Sequence, residues 1–420
     1  MKKKLLIILG SGSSIPLGLP SVPRLDEEMK AWATSWAVDH GFQDYFRELW
    51  NAVDACYVAS DRRVRPSVNF EKVLGEMIAL SHWMTPAPWG DTLRQTACNG
   101  APPPELTFPT HPFHEVVPYS ATVTVMDQYN YLLEKLAKHM RTESRKLDLQ
   151  SDAARDYLTM LSGLRESFDV GIYNLNYDSA ALETWPEAYT GFDEEGNFEP
   201  ERVHDRTDWG FLYHLHGSVH HSLKHLHGGP ICWRQDLSQD NFFDTPVNSP
   251  DDRRSEGRSF SRGTLIAGGF KLDQLLVEPF HSLQASLVRH IYAADAFLLG
   301  GYGFADVHVN RALQNRWGPF SDKPPAIVLD IAHDRTDPML FREDLWAHDL
   351  CSTLGAVKDF FRELGHSSAA WPADLARTGS FEVNPEHRVA IWYGGFTRAA
   401  DCVDRIVPWL DGAENDLLRS

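Results

Sequence analysis

Four short stretches of this chain place chemistry-bearing residues where an apolar run gives way to polar ones. The first is Gly10-Ser11-Gly12-Ser13-Ser14, running on to Gly18-Leu19-Pro20 directly after Leu5 to Leu9. Glycines straight after a buried strand let backbone N–H groups approach a diphosphate with no Cβ in the way, and a following helix turns its positive end toward the anion. The second stretch, IYNLNYDSA, carries Asn174, Asn176 and Asp178; the third, YHLHGS, carries His214, His216 and Gly217. The fourth is LLGGYGFADVHVN at 298–310, with Gly301, Tyr302, Gly303 and Phe304 at its turn. An amide such as Asn176 and an imidazole such as His216 together can position a water or hydroxyl and take its proton, because an imidazole titrates near neutral pH.

Each stretch has a plainer structural reading. Gly10-x-Gly12 lacks the third glycine of the dinucleotide fingerprint and serves equally as a tight turn. Asn-Tyr-Asp can cap a helix starting near Ser179. His216 can be a satisfied core histidine, and Gly300 to Gly303 a strand-to-helix turn with Asp306 as an N-terminal charge. All four together, at strand ends, favour a nucleotide site over four accidents.

Elements that would position these groups are legible from periodicity. Short apolar runs at Leu5–Leu9, Val170–Leu175, Phe211–Leu215, Ala296–Leu299, Ala326–Asp330 and Val389–Tyr393 read as buried strands. Helical periodicity marks 24–38, 42–58, 69–84, 121–142 and 152–167, then 271–293, 306–316, 354–364 and 397–410. Strands alternating with helices predict an α/β fold with a doubly wound, mainly parallel, Rossmann-like sheet, and a helical insertion after the first strand. The expected organisation is a nucleotide-binding and catalytic domain from 1–24 and 168–420, with an insertion subdomain at 25–167. Pro-rich 85–119 is expected to wrap the surface, and the Ser/Asp/Arg-rich segment 235–263 to be a flexible loop. Ligands of such sheets sit outside the strands' carboxyl ends, where the four stretches fall.

Composition narrows the partners. The 420 residues carry 40 Lys and Arg against 58 Asp and Glu, a net charge of -18 that disfavours nonspecific binding to bare nucleic acid, and no direct specific nucleic-acid binding is expected. Five dispersed cysteines with no CxxC pair indicate neither a zinc module nor a disulfide framework, which fits a reducing cytoplasm. Lys2 to Lys4 precede an apolar run of five residues, too short for a membrane span or a signal peptide.

The four stretches, in this order, resemble the sirtuins, specifically the sirtuin-like NAD hydrolases of bacterial antiphage defence. Gly10-Ser-Gly12-x-Ser14-x-x-x-Gly18-Leu19-Pro20 is similar to the sirtuin GAGxS-x-x-x-GIP loop that holds NAD. Leu175-Asn176-Tyr177-Asp178 is similar to QNxD, and Leu215-His216-Gly217 to the catalytic LHG. Gly301-Tyr302-Gly303-Phe304, followed by Asp306, His308 and Asn310, resembles GYSFxDxHIN of the defence group, and Asn69 to Leu74 a recurrent feature of its insertion. Two departures set the chain apart from deacylating sirtuins: Ser21-Val22-Pro23-Arg24 stands where they carry Asp-Phe-Arg after GIP, and the four-cysteine zinc module is missing.

The resemblance implies an NAD glycohydrolase that splits NAD to ADP-ribose and nicotinamide, with Asn176 and His216 catalytic. NAD is then a substrate, no zinc is expected, and Gly10, Ser11, Gly12, Ser13, Ser14, Gly18, Pro20, Asp178 and Gly301 to Phe304 are its binding residues. It also implies an effector held silent until a partner subunit triggers it. That partner is a HerA-type ATPase, or alternatively a short Argonaute protein, within a homo-oligomeric assembly. The competing reading is a noncatalytic sensor of NAD or ADP-ribose; a protein deacylase is a lesser one. His214 and His216, on one face of a strand within the histidine-rich stretch 214–227, raise a further lesser alternative, a metal-dependent nuclease. No carboxylate or thiol joins that stretch, whose plainer reading is a polar, partly exposed loop.

Overall fold

Leu5 to Leu9 are apolar without alternation because the strand they form has neighbours on both edges and no exposed face. The computed structural model describes residues 2–59, 68–84, 118–245, 263–268, 271–318, 322–331, 345–354 and 372–413. In chain order its strands are β1 (Lys4–Leu9), β2 (Asp169–Asn174), β3 (Phe211–His214), β4 (His221–His225), β5 (Gly228–Trp233), β6 (Ala296–Gly300), β7 (Ala326–Leu329), β8 (Glu382–Asn384) and β9 (Val389–Trp392). Seven of them form one sheet in the order β3-β2-β1-β6-β7-β9-β8, parallel throughout except for β8, which runs antiparallel to β9. The chain winds outward from β1 to β3, then returns to the other side of β1 through β6. The doubly wound α/β class expected from the sequence is the class observed.

Contacts divide the chain into two units: Met1–Ser21, Glu143–Ser218 and His281–Ser420; and Val22–Thr142 with Val219–Phe280. The first holds the seven-stranded sheet. Its core includes Leu6, Ile8, Phe297, Leu299 and Val328 from the central strands, and an aromatic stack in which Phe211 lies 4.5 Å from Tyr213 and 4.4 Å from His290. Gly171 in β2 is the residue that admits this stack, since a Cβ there would run into the Phe211 ring.

The helix Asp152–Ser167, capped by Ser151, belongs to this sheet unit. Gly163 lets it approach Val403, and Tyr157 packs on Phe396 at 4.9 Å. The sheet unit thus resumes at Glu143, whereas the insertion subdomain read from the sequence runs to 167.

In the second unit, helices Val22–His40, Tyr45–Ala59, Phe70–Met84 and Pro118–Ser144 are joined by buried polar ties. The Asp26 carboxylate accepts from the Phe70 N–H at 2.7 Å. Gln128 accepts from the Phe46 N–H and donates to the Ala33 carbonyl and to Asp44. Arg141 makes a two-pronged pair with Asp244 at 2.8 and 2.5 Å, both side chains buried.

Other expectations shift locally. The histidine-rich stretch expected as a loop runs into a two-stranded antiparallel hairpin of β4 and β5, with His220 and His221 buried and Lys224 to His227, Gly229 and Pro230 exposed. The helix expected over 271–293 is two, Lys271–Gln274 and Phe280–Ala293, because Pro279 has no N–H to carry one helix through. Residues 397–402 form a 3-10 turn ahead of the helix Val403–Leu410. The helix expected over 354–364 lies outside the described residues after Leu354, the last residue of the observed helix Leu345–Leu354. Residues 85–117 and 246–262 of the two expected loops are likewise outside them. Among the described residues no helix is long and apolar enough to cross a membrane.

Candidate active site at the carboxyl edge of the sheet

Strand register brings the four stretches into one row. Leu9 of β1 pairs with Asn174 of β2 and Gly300 of β6, and Asn174 pairs with His214 of β3. Neighbouring strands stand about 4.8 Å apart, so the residues following those four positions share one edge of the sheet. That edge spans the switch between the two windings, the place where open α/β sheets leave a crevice.

The loop after β1 and the turn after β6 interlock. Gly10 donates its N–H to the Gly300 carbonyl at 2.9 Å and Gly12 to the Gly301 carbonyl at 3.1 Å. A Cβ on Gly10 would come within 2.5 Å of the Gly301 oxygen, and one on Gly12 within 2.8 Å of the Gly301 Cα. These glycines are thus required by backbone meeting backbone. The N–H groups of Gly12 and Ser13, expected to face a diphosphate, are already donated, to Gly301 and Gly10 respectively. Nor does a long helix follow directly: two 3-10 turns, Ser11–Ser13 and Ile15–Leu17, precede the helix at Val22. Gly18 closes the second turn in the left-handed region at φ 87°. Ser11 and Gly18 are exposed, whereas Ser13, Ser14 and Pro20 are buried.

Asn176 ties β2 to this loop. Its Nδ2 donates to the Gly10 carbonyl at 2.9 Å, to Ser14 Oγ at 3.0 Å and to Ser13 Oγ at 3.3 Å, while its own N–H donates to Asn174 Oδ1. Asp178 is buried beside it, and burial pushes its carboxyl up to about 6 despite hydrogen bonds from the Ala180 N–H and the Ser14 hydroxyl. The two-residue offset from Asn176 to Asp178 therefore serves both a loop tie and a helix start.

His214 and His216 do not share a ligand point. His214 turns its Nδ1 toward the Asn176 carbonyl at 3.3 Å. His216, 3% exposed, turns its Nε2 toward His308 Nε2 at 3.3 Å and Asp306 Oδ1 at 3.7 Å. One ligand atom from each of these three lies within 4.8 Å of the others. Asp306 and His308 stand at the start of the helix Val307–Arg316 after β6. From the sequence Asp306 reads only as an N-terminal helix charge and His308 as part of a motif; their spacing of two, just after a glycine turn, is the signal that points to a shared site.

Tyr302 and Phe304 frame that turn from below. Both are buried in the sheet core, 4.7 Å apart, with the Tyr302 hydroxyl donating to Asn310 Oδ1 at 2.7 Å and Trp346 Nε1 donating to the Tyr302 carbonyl. Phe304 takes a positive φ of 54° and Asn310 donates to its carbonyl. Their side chains support the loop from the core side, and exposed Gly303 is the open position of the four.

A doubly wound α/β protein with an amide, an imidazole and a glycine loop gathered at the switch point is thus the class defined by fold and site. A family model described as "SIR2-like domain" matches residues 170–348, which include Asn176, Asp178, His216 and the turn after β6. Among solved structures the chain is similar to a mutant Sir2 homologue in complex with 2'-O-acetyl ADP ribose, at 12% identity and TM-score 0.32, covering 88% of this chain and 96% of that one. It is similar also to a Sir2 homologue in complex with NAD, at 12% identity and TM-score 0.31, covering 78% of each chain. No curated protein matches the sequence.

Proposed function

We propose that this chain hydrolyses NAD to ADP-ribose and nicotinamide. The observation that carries the reading is the pairing of Asn176 and His216 just beyond two neighbouring strand ends, with Asn176 bonded into the Gly10–Ser14 loop. Cleavage of the nicotinamide–ribose bond develops positive charge on the ribose ring, and a water must add to the carbon that nicotinamide leaves. Asn176 orients that water and the ribose hydroxyls. His216 Nε2 accepts the water's proton as the oxygen bonds to the anomeric carbon; the bonding pair departs with nicotinamide, which leaves neutral. Asp178 and Ser14 hold the shape of the loop against which the substrate lies, while Ser11, Gly18 and Gly303 offer its open contacts.

The same reading makes the chain the effector of an antiphage system, within a homo-oligomer silenced until a HerA-type ATPase subunit engages it. The strongly acidic charge supports docking to a basic partner that handles nucleic acid.

The test is chromatographic. Purified chain, alone and with a HerA-type partner, is incubated with NAD and compared with Asn176→Ala and His216→Ala. Nicotinamide and ADP-ribose released by the parent chain only are the expected result. O-acyl-ADP-ribose made from an acylated peptide would replace the reading with deacylation, and saturable NAD binding without turnover under either condition would replace it with a sensor.

A further inference from the structure

We propose that His216, Asp306 and His308 form a binding site for a divalent transition ion of the zinc type, and that its occupancy silences the chain. The second half of this inference rests on the hydrolase reading; the first does not.

The geometry is that of a three-ligand site. Two imidazole nitrogens each about 2.0–2.1 Å from a tetrahedral zinc stand roughly 3.3–3.4 Å apart. The two Nε2 atoms stand 3.3 Å apart, and Asp306 Oδ1 is 3.7 Å from the His216 nitrogen. The donor set is two neutral imidazoles and a carboxylate, which suits zinc and its neighbours and is poor for magnesium or calcium. The three come from two separate elements: His216 follows β3, whereas Asp306 and His308 open the helix after β6. Asp306 is the N-cap residue of that helix. His216 is buried and Asp306 is 12% exposed, so an ion held here would be largely screened from water.

Consequences for the reaction follow from the atom used. The His216 nitrogen that faces His308 and Asp306 is the one that must accept a proton from the attacking water. An ion bound there takes its lone pair, and the proton then has no acceptor. In binding, the histidine whose Nε2 carried hydrogen moves that proton to Nδ1, so both imidazoles remain neutral and no oxidant or reductant is involved.

Untagged full-length chain, treated with chelator and dialysed, is titrated with Co2+ and then with Zn2+, alongside His308→Ala and Asp306→Asn. Parent chain should develop the visible absorption of low-coordinate cobalt, and zinc should bleach it. His308→Ala should bind at least about tenfold more weakly, with Asp306→Asn also weakened and both variants retaining the parent's melting temperature without metal. NAD turnover is followed in the same samples, each with and without the HerA-type partner: zinc should suppress it in the parent and much less in His308→Ala. No cobalt spectrum, or one that survives His308→Ala, overturns the site and leaves the pair as a hydrogen bond only. Turnover that rises with zinc overturns the silencing. If cobalt binds through His308 while NAD stays intact in every condition, the hydrolase reading fails and the site stands.

Discussion

Gly12 donates its N–H to the carbonyl of Gly301 at 3.1 Å, locking the loop that leaves the central strand to the turn after its neighbour β6. Two segments nearly three hundred residues apart in sequence are held with no side chain between them.

Gly301→Ala should therefore be damaging. Gly301 has a φ of 59°, and a Cβ there would overlap the Ser13 nitrogen and Gly12 backbone. We expect a loss on the order of 2–4 kcal/mol in denaturant unfolding, with NAD turnover abolished. Gly303→Ala, where a Cβ meets nothing within 4 Å, should cost less than about 0.5 kcal/mol. Equal effects of the two substitutions would show that the interlock is not what the glycines serve.

Asn176→Asp is the sharper test of the amide. It keeps the size of the side chain but turns a donor to Gly10, Ser13 and Ser14 into an acceptor facing a carbonyl oxygen. Stability should fall by about 1–3 kcal/mol, and release of nicotinamide should drop below detection. Unchanged thermal unfolding would mean that the loop does not depend on this tie.

Asp178 predicts a pH dependence with a definite sign. Burial holds its carboxyl at about 6, above the unfolded value of 3.8, so the native state keeps this proton longer than the unfolded chain. Its contribution to stability is fully present below the unfolded value and is lost as pH rises to about 6, a change on the order of 3 kcal/mol. Other buried groups titrate in the same range: Glu382 is pushed up to about 7 and His290 down to about 3, both by burial. The difference between parent and Asp178→Asn isolates the effect. That difference should move in the variant's favour from about pH 4 to about pH 6.5 in urea unfolding. A flat difference would place Asp178 in a far more polar surrounding.

The helical unit supplies a prediction independent of any chemistry. Arg141 and Asp244 are buried, and the Thr264 hydroxyl donates at 3.2 Å to Asp244 Oδ1, which also accepts from Arg141 Nη1. Removing one partner leaves an uncompensated charge, so Asp244→Ala should cost about 3–5 kcal/mol. The double variant Arg141→Met/Asp244→Leu should recover much of it. A double-mutant cycle with no coupling would show the pair to be hydrated.

The sheet and the row of polar ends along it were legible in the order of residues alone. Strands buried on both faces must be short unbroken apolar runs, and helices packed on one face must repeat at 3.6 residues; both patterns are local and survive without coordinates. β1, β2, β3, β6, β7 and β9 were legible for that reason, as were Gly10 to Ser14, Asn176, Asp178, His216 and the turn at Gly301. The hairpin of β4 and β5 was not, because His220 and His221 look polar yet lie buried, with His220 Nδ1 facing the Arg234 carbonyl at 2.8 Å. Nor was the membership of the helix Asp152–Ser167, whose amphipathic face would suit either unit. Only tertiary structure joined His216 to His308, 92 residues on, and turned His214 away to the Asn176 carbonyl. Those choices depend on where strand register and helix direction deliver a ring nitrogen, and no spacing along the chain encodes the distance between two elements that meet only after the sheet has closed.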